Sequence, residues 1–200
     1  MKDVIERLEF VPTDYFEEPS PGSIVPGCAE LELDLGCGDG GFLMSMAEQF
    51  PERGFLGVER LLGRVRKVCR KSNRRGLNNV RVLRIDSAYA VRWLLPKGGF
   101  TRIHLLFPDP WPKKRHQRRR IVTQEFGRAI QQLLAPGGEF LFKTDHAEYF
   151  EEASERLLTL TDIFEPLDWP DDAFFYAETN FERQWKEEGR SIGKLRLRKR

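Results

Sequence analysis

The chain has 200 residues, of which 40% are hydrophobic, and its formal net charge at pH 7 is +2. This composition is that of an ordinary globular protein, and it excludes a disordered or low-complexity chain. A chain of this length can bury one substantial core, which favours a single domain. No apolar run approaches the roughly 18 residues that span a bilayer, and the N-terminal MKDVIERLEF is charged where a signal peptide is apolar. We therefore expect a cytoplasmic protein that does not bind a membrane.

Positive and negative charges are segregated along the chain. Residues 146–182 hold eleven acids and one base, Arg156. Three basic clusters, residues 64–75, 113–120 and 194–200, hold seven, six and five bases. A solvated surface explains any one cluster as well as a binding site does, but three clusters in one small domain favour a nucleic acid as partner.

The three cysteines are Cys28, Cys37 and Cys69. They are odd in number and widely spaced, so they form neither a CxxC pair nor a zinc-ligand pattern. We expect free thiols and no metal.

Short β-rich runs alternate with longer helical patterns from residue 31 onward. Strands are predicted at residues 31–35, 54–59, 80–85, 101–107 and 139–144, and helices at 41–50, 61–74, 87–95, 122–134 and 147–158. Two later stretches, near residues 163–169 and 192–197, suit an antiparallel hairpin at the sheet edge. The order predicts an α/β fold: a Rossmann-like, doubly wound, mostly parallel seven-stranded sheet with helices on both faces.

We expect residues 31–200 to form the single domain. Residues 1–30 are acidic and rich in proline, and they contain no motif. They are expected to form a lead-in segment that need not be ordered on its own. The sequence is compatible with a monomer and with a homodimer.

The first predicted strand runs into the loop Gly36-Cys37-Gly38-Asp39-Gly40-Gly41. This loop fits both GxGxG and GxGxxG, so it is compatible with S-adenosylmethionine and with a nicotinamide dinucleotide. Asp34 and Asp39 would repel a pyrophosphate, whereas S-adenosylmethionine carries an ammonium and a sulfonium and no phosphate. A methyltransferase pocket is therefore favoured over that of a nicotinamide-dependent oxidoreductase.

Acidic residues also follow the next predicted strands. Glu59 comes 19 residues after Gly40, where a carboxylate can accept both ribose hydroxyls. Asp86 either contacts the adenine or a nearby hydroxyl, or caps the helix that follows it. With Asp34 and Asp109, these carboxylates are expected to converge on one edge of the sheet.

The fourth predicted strand ends in Phe107-Pro108-Asp109-Pro110-Trp111-Pro112, followed by Lys113-Lys114-Arg115-His116. The three prolines hold this loop rigid and place Asp109 at the strand end. FPDPWPKKRH followed by Arg118-Arg119-Arg120 resembles the signature of the tRNA (guanine-N7)-methyltransferases. LDLGCGDG, GVE, IDSA, KTD and TNFE agree with that family in order and spacing, from about Leu31 to the C-terminus.

The resemblance implies transfer of a methyl group from S-adenosyl-L-methionine to N7 of guanine 46 in the tRNA variable loop, with S-adenosyl-L-homocysteine as product. It implies a cofactor site of Asp34, Gly36, Gly38, Gly40, Glu59, Asp86 and Asp109. The implied substrate-binding residues are Lys113, Asp145, Thr179, Asn180, Phe181 and Glu182. Many members have Glu at the position of Asp34, so the shorter carboxylate is a departure from the family pattern.

We assign the catalytic role to Asp109, as the carboxylate that accepts hydrogen bonds from the guanine. The residues expected to contact tRNA phosphates are Lys114, Arg115, Arg118, Arg119 and Arg120. Trp111 either stacks on a base or packs under the proline loop. His104 and His146 receive no role.

Other interpretations remain open for single residues and for the whole chain. Asp145 with Glu148 also fits a helix cap, and Glu182 also fits a surface pair with Arg183 or Lys186. The alternative functions are methylation of another RNA and a non-catalytic RNA-binding module. The intact glycine loop and the strand-end acids disfavour the second alternative.

Overall fold

Strands and helices alternate through residues 7–200, which are the residues that the computed structural model describes. The strands are β1 Glu9–Phe10, β2 Glu30–Leu35, β3 Arg53–Val58, β4 Val80–Leu83, β5 Phe100–Leu106, β6 Leu134–Thr144, β7 Phe164–Leu167 and β8 Gly193–Lys199. The α-helices are α1 Pro21–Ile24, α2 Gly41–Gln49, α3 Leu62–Arg74, α4 Ser87–Tyr89, α5 Gln124–Leu133, α6 Ala147–Leu158 and α7 Asn180–Glu187. A π-helical turn, Ala90–Leu94, continues α4, and a 3₁₀ helix covers Lys114–Arg119.

Within residues 7–200 the strands form one sheet of eight, in the order β1-β4-β3-β2-β5-β6-β8-β7. The pairs from β1 to β6 are parallel, and β8 pairs antiparallel with β6 and β7. The predicted mostly parallel sheet with a C-terminal antiparallel hairpin is confirmed. The predicted count of seven strands is wrong, because β1 has two residues and is too short to show a periodic pattern.

The lead-in segment contributes to this structure. Glu9 and Phe10 of β1 pair with Val82 and Leu83 of β4. Further along the segment, the side chains of Ile24 and Val25 are buried. The division of the chain at residue 30 remains a prediction. Residues 1–6 of the lead-in segment lie outside the part of the chain that the structure describes.

The central strands β2, β5 and β6 have one apolar face and one polar face, and both are buried. Successive side chains of a strand point to opposite faces. Leu33, Ile103 and Phe142 lie on the apolar face and pack in the core that includes residues of α5 and α6. Glu32, Asp34, His104 and Lys143 alternate with them on the other face, and each is less than 10% exposed.

Helix α7 was not predicted from the hydrophobic pattern. Its N-cap is Thr179, whose Oγ1 accepts a hydrogen bond from the backbone N–H of Glu182 at 2.9 Å. Thr-x-x-Glu is the sequence pattern of a capping box, and this was the available signal. The helix is rich in charged residues, so its apolar periodicity is weak.

Gly57 of β3 lies where the sheet packs tightly beneath the glycine-rich loop. A Cβ at this position would lie 2.7 Å from Cys37 Sγ and 2.8 Å from Leu43 Cδ2. We expect Gly57→Ala to lower the free energy of unfolding by about 1–3 kcal/mol, because the core is overpacked there.

The matched control is Gly63→Ala on α3, where no atom lies within 4 Å of the added Cβ. This change should be neutral or should stabilise by up to about 1 kcal/mol, since alanine is the better helix former. Urea unfolding of both variants measures the difference. Equal stabilities for the two would contradict the packing argument.

Candidate active site

Four acidic residues lie at the carboxyl ends of neighbouring parallel strands. Asp34 is the penultimate residue of β2, and Glu59 directly follows β3. Asp86 and Asp109 lie three residues beyond β4 and β5. Because β4, β3, β2 and β5 are adjacent in that order, all four belong to one edge of the sheet, where doubly wound folds bind their ligands.

The glycine-rich loop between β2 and α2 is held in a conformation that favours glycine. Gly36, Gly38 and Gly40 have φ values of 76°, 57° and 77°. The backbone N–H groups of Gly36 and Cys37 both donate to the carbonyl of Val58, at 2.9 and 3.0 Å. No atom lies within 4 Å of the position that a Cβ of Gly36 would take, so the space above the loop is open to a ligand.

The two carboxylates around this loop differ in their environment. Asp34 is 3% exposed, and among residues 7–200 its carboxylate forms no ion pair. Burial, reinforced by the charge of Glu59, raises the pKa of Asp34 to about 7. Asp39 instead lies 2.8 Å from Lys71 Nζ and 3.1 Å from Lys67 Nζ, and its hydrogen bond to Lys71 is the main cause that lowers its pKa to about 2.

The expectation that both carboxylates attract a cationic ligand therefore needs a correction. Asp39 is already neutralised by two lysines of α3, because these lysines reach back to the loop from the following helix. Asp34 alone remains as a buried carboxylate at this loop without a cation beside it.

Glu59 and Asp86 each bind the backbone that follows them. Glu59 Oε1 accepts from the N–H of Leu61 at 2.7 Å, and Glu59 Oε2 lies 3.4 Å from Arg64 Nη1. Asp86 Oδ1 accepts from the N–H groups of Ala88 and Tyr89 at 3.0 and 3.2 Å. The helix-cap interpretation of Asp86 is thus observed, and its other oxygen remains for a ligand.

The loop after β5 has an unusual backbone. Phe107 and Trp111 each precede a proline, and their φ values are 52° and 44°. This left-handed region is strained for bulky residues, and extended conformations are usual before proline. The N–H of Phe107 donates to the carbonyl of Lys143 at 2.8 Å, and Asp109 is exposed between the two strained positions. Such strain is typical of functional loops.

The basic run after this loop is largely exposed, as expected of a surface that meets an anion. The exposed residues are Lys113, Lys114, Arg115, Arg118 and Arg119. The guanidinium of Arg119 lies 4.9 Å from the centre of the Trp111 ring, and His116 packs edge-on against the same ring at 5.9 Å. These contacts support the packing interpretation of Trp111.

Arg120 does not fit its predicted role as a phosphate contact. It is 3% exposed, and its Nε donates to the carbonyl of Pro110 at 2.8 Å. Its Nη atoms pair with Glu148 and Glu152 of α6. Arg120 therefore connects the proline loop to α6. The sequence does not reveal this role, because Arg120 belongs to the same basic run as its exposed neighbours.

The remaining predicted substrate residues lie on β6 and α7. The carboxylate of Asp145 lies 3.3 Å from Arg190 Nη1. His146, not Asp145, caps α6, because its Nδ1 accepts from the N–H of Tyr149 at 3.2 Å. Thr179 caps α7, and the side chain of Asn180 is outside what the structure describes.

Phe181 and Glu182 have opposite environments on the same turn of α7. Phe181 is 59% exposed and stacks on Trp185 with ring centres 5.4 Å apart. Glu182 is buried and accepts a hydrogen bond from Lys143 Nζ at 2.8 Å. The surface-pair interpretation of Glu182 is therefore wrong as far as its main partner is concerned.

A buried polar network was missed in the sequence. His104 Nε2 lies 2.9 Å from Glu32 Oε2, and His104 Nδ1 lies 2.8 Å from the hydroxyl of Tyr176. The ring of Tyr176 also flanks the ammonium of Lys143. The available signal was the presence of Glu32 and His104 within strands predicted to lie in the middle of the sheet, since buried charged residues are normally paired.

The rest of the described chain offers little that competes with this site. A cavity of about 590 Å³ beside β1, lined by Phe10, Ile24 and Arg81 among others, contains none of the predicted site residues. Within residues 7–200 no group of three or more His, Cys, Asp or Glu could hold a metal ion. No helix of that part is long and apolar enough to cross a membrane.

Known proteins resemble this chain in sequence. A family described as "Putative methyltransferase" matches residues 29–195. A tRNA (guanine-N(7)-)-methyltransferase of Thermotoga maritima is 31% identical over 98% of this chain and 63% of its own length. The enzyme of that name from Geobacter metallireducens is 36% identical over 73% of this chain and 70% of its own. The chain thus spans less than two thirds of the Thermotoga relative.

Solved structures show the same fold at low sequence identity. The 16S rRNA methyltransferase KamB has a TM-score of 0.66 and 19% identity, covering 96% of this chain and 97% of its own. The aminoglycoside resistance methyltransferase NpmB1 has a TM-score of 0.59 and 20% identity, covering 89% of this chain and 91% of its own. At these identities the likeness supports the Rossmann-like fold alone.

The burial of Asp34 predicts a pH-dependent stability. The pKa of Asp34 is about 7 in the folded protein, against an ordinary value of 3.8, so the folded state binds more protons between these two pH values. Stability contributed by neutral Asp34 is present at low pH and is lost as the pH rises toward 7. Asp34→Asn should therefore raise the free energy of unfolding at pH 8, on the order of 2 kcal/mol, and change it little at pH 4.

Denaturant unfolding at both pH values measures this effect. Asp162→Asn is the control, because Asp162 is an exposed acid paired with Arg128 on the surface. An Asp34→Asn effect of the same size at both pH values would contradict the assignment.

Substitutions of the two neighbouring arginines at the end of the basic run should differ in their effect on the stability of the protein. Arg120→Ala leaves Glu148 and the carbonyl of Pro110 without a buried donor, and we expect a loss of about 1–3 kcal/mol in the free energy of unfolding. Arg119→Ala, at an exposed position, should stay within about 0.5 kcal/mol. Thermal and urea unfolding compare them, and equal losses would show that Arg120 is not an anchor.

Proposed function

The chain belongs to the tRNA (guanine-N(7)-)-methyltransferase family, and we propose from this that it transfers a methyl group from S-adenosyl-L-methionine to N7 of guanine 46 in the tRNA variable loop. The observation that carries the proposal is the placement of Asp109. It is exposed on the strained proline loop, between the acidic strand ends and the exposed basic run. This placement puts a carboxylate where a cationic cofactor and an anionic RNA would meet.

The cofactor site fits S-adenosylmethionine on two observations. Asp34 is a buried carboxylate without a cation partner among residues 7–200, and an ammonium or sulfonium would stabilise its charged form. The open space above Gly36 and the left-handed glycines allow a ligand to approach the backbone. Asp34, Glu59 and Asp86 would hold the cofactor, together with the glycines of the loop.

The reaction needs little chemistry from side chains. Bound S-adenosylmethionine supplies a methyl group activated by the sulfonium. Guanine N7 carries an in-plane lone pair and loses no proton on methylation, so no residue has to act as a general base. The protein's contribution is then to hold the base in line and to stabilise charge.

Asp109 is suited to the second of these tasks. The guanine ring becomes positively charged as N7 forms its new bond, which strengthens hydrogen bonds from N1–H and the N2 amino group. A carboxylate that accepts them binds the transition state better than the ground state. Asp145, which directly follows the adjacent strand β6, or Glu182 of α7 is available as a helper in this role.

The tRNA would be held mainly through its phosphates. The exposed residues Lys114, Arg115, Arg118 and Arg119 lie directly after the proline loop, and Lys113 is the first base of this run. Their contacts would give an affinity that falls steeply with salt. The oligomeric state of the enzyme stays a prediction, either monomer or homodimer.

The test is transfer of labelled methyl from S-adenosylmethionine to unmodified tRNA transcripts with guanine or adenine at position 46. We expect label on the guanine transcript alone, at a nucleotide that responds to cleavage chemistry specific for N7-methylguanosine. Label on both transcripts, or on neither despite cofactor binding, would overturn the proposed site and direct the search to other RNAs.

In the same assay, Asp109→Ala should lower kcat by about 10- to 100-fold, the size of a charge-assisted hydrogen bond. Cofactor affinity, measured by calorimetry without tRNA, should fall by less than that. The exposed acid Asp162 provides the control substitution Asp162→Ala, which should keep wild-type kinetics. An Asp109→Ala variant that loses only cofactor affinity would make Asp109 a cofactor ligand instead.

A further inference from the structure

A buried ion pair connects the sheet to helix α7. Lys143 is the penultimate residue of β6, and Glu182 lies in the first turn of α7. Lys143 Nζ donates to Glu182 Oε1 at 2.8 Å, and the two side chains are 9% and 5% exposed. Because both partners are almost fully withdrawn from water, the desolvation cost is large and the pair is weak evidence for stability. Its position calls for a functional explanation.

The ammonium of Lys143 is fixed from several sides. It lies 5.1 Å from the ring centre of Trp169 and 4.8 Å from that of Tyr176, within the range of cation–π attraction. The hydroxyl of Tyr176 is itself hydrogen-bonded to His104 Nδ1 at 2.8 Å. Burial lowers the pKa of Lys143, and the hydrogen bond to Glu182 opposes this effect. Lys143 is therefore held in one place by two aromatic rings and by one oxygen of Glu182.

The second oxygen of the Glu182 carboxylate is different. Within residues 7–200, Glu182 Oε2 is buried and has no hydrogen-bond partner. A buried carboxylate oxygen without a donor costs free energy, and such atoms are rare in folded proteins. The ammonium of Lys186 lies 3.7 Å from Oε1, the other oxygen of the same carboxylate. Oε2 is therefore a hydrogen-bond acceptor for which residues 7–200 supply no donor.

Helix α7 also contacts the elements that carry the predicted catalytic residues. Trp185 packs edge-on against Phe107, at the start of the proline loop, with ring centres 4.7 Å apart. Arg190, just after α7, reaches the carboxylate of Asp145. The backbone carbonyl of Lys143 accepts from the N–H of Phe107. The ion pair thus lies among the contacts that join α7, the proline loop and the end of β6.

We infer that Lys143 is a positioning residue for the substrate base: it fixes Glu182 through one carboxylate oxygen so that the other can accept a hydrogen bond from a purine N–H. The inference deepens the proposed function and rests on it, because guanine supplies N1–H and N2 donors next to the methylated ring. Lys143 itself contacts no substrate in this arrangement. A purely structural pair would instead only dock α7 on the sheet.

A double-mutant cycle with Lys143→Met and Glu182→Gln separates these roles. We expect each single variant to lower kcat for tRNA methylation by roughly 10- to 100-fold, as for loss of a hydrogen bond to a charged group. The KM for tRNA should change less than kcat, because that bond strengthens as the ring gains charge. The double variant should be no slower than the slower single variant, since Lys143 acts through Glu182.

Two measurements detect a merely structural effect. Cofactor affinity without tRNA and the melting temperature are recorded for every variant. The double variant removes both buried charges, so its melting temperature should recover relative to Lys143→Met while its kcat does not. Recovery of kcat together with the melting temperature would show that the pair only docks α7.

Lys143→Arg covers the case in which Lys143→Met does not fold. It keeps the charge but places the donors differently, so positioning predicts a near-normal melting temperature and a reduced kcat. A docking role predicts wild-type kcat for this variant. Lys97→Met is the matched control, because Lys97 is an exposed lysine that pairs with Glu18, away from α7 and Glu182. Its kcat should stay near that of the wild type.

The outcomes also separate this inference from the proposed function. A wild-type protein that labels tRNA, together with a Lys143→Met variant of unchanged kcat, overturns the inference alone. Additive losses in the double variant overturn it as well. A wild-type protein that binds the cofactor but labels no tRNA overturns the proposed function and, with it, the role of Lys143.

Discussion

The parallel pairing of β5 with β2 on one side and β6 on the other is the constraint on which the site depends. Asp34 is opposite His104 in the first pair, and Leu106 is opposite Lys143 in the second. The loop that follows β5 therefore lies between the ends of two other strands. The end of β2 carries Asp34, and the end of β6 carries Lys143 and is followed by Asp145. A slip of one residue in either register would turn these side chains to the opposite face.

The same pairing forces polar residues into the interior. Glu32, His104 and Lys143 occupy the face that alternates with the main apolar core, so water cannot solvate them. Glu32 and His104 are satisfied by each other and by Tyr176, Arg53 donates a 2.9 Å hydrogen bond to Glu32 Oε1, and Lys143 donates to Glu182. A fully satisfied buried network favours one arrangement of its neighbours. The segment that carries Tyr176 and leads into α7 is accordingly docked by polar contacts.

The sequence predicts the sheet well, and it predicts that acidic residues meet at one edge of it, because these signals are local. Apolar runs reveal buried parallel strands, left-handed glycines follow from a tight turn, and acids at strand ends follow from the fold. The roles of Arg120 and Asp39 could not be predicted, since their charged partners, Glu148 and Lys71 among them, are more than 25 residues away in sequence. Charge density alone does not say which arginine is buried.

Length and composition explain the other differences. Strand β1 has two residues, and α7 consists mostly of polar residues, so neither gives a periodic apolar signal. The Thr179–Glu182 capping box was visible, but the burial of Glu182 depends on Lys143, 39 residues earlier. The role of Glu182 can be recognised only from the folded structure, in which α7 lies against β6.

Two carboxylates flank the proline loop in states that are costly for the protein by itself. Among residues 7–200, Asp34 is buried beside Glu59 with no cation next to it, and one buried oxygen of Glu182 has no donor. Local violations of this kind are expected where a ligand completes the interactions. A cation would stabilise the charged form of Asp34, whereas an N–H donor would complete the hydrogen bonds of Glu182. The two carboxylates therefore require ligands of different chemistry. These two requirements, on either side of Asp109, are the ones that the proposed cationic cofactor and the proposed substrate base would meet.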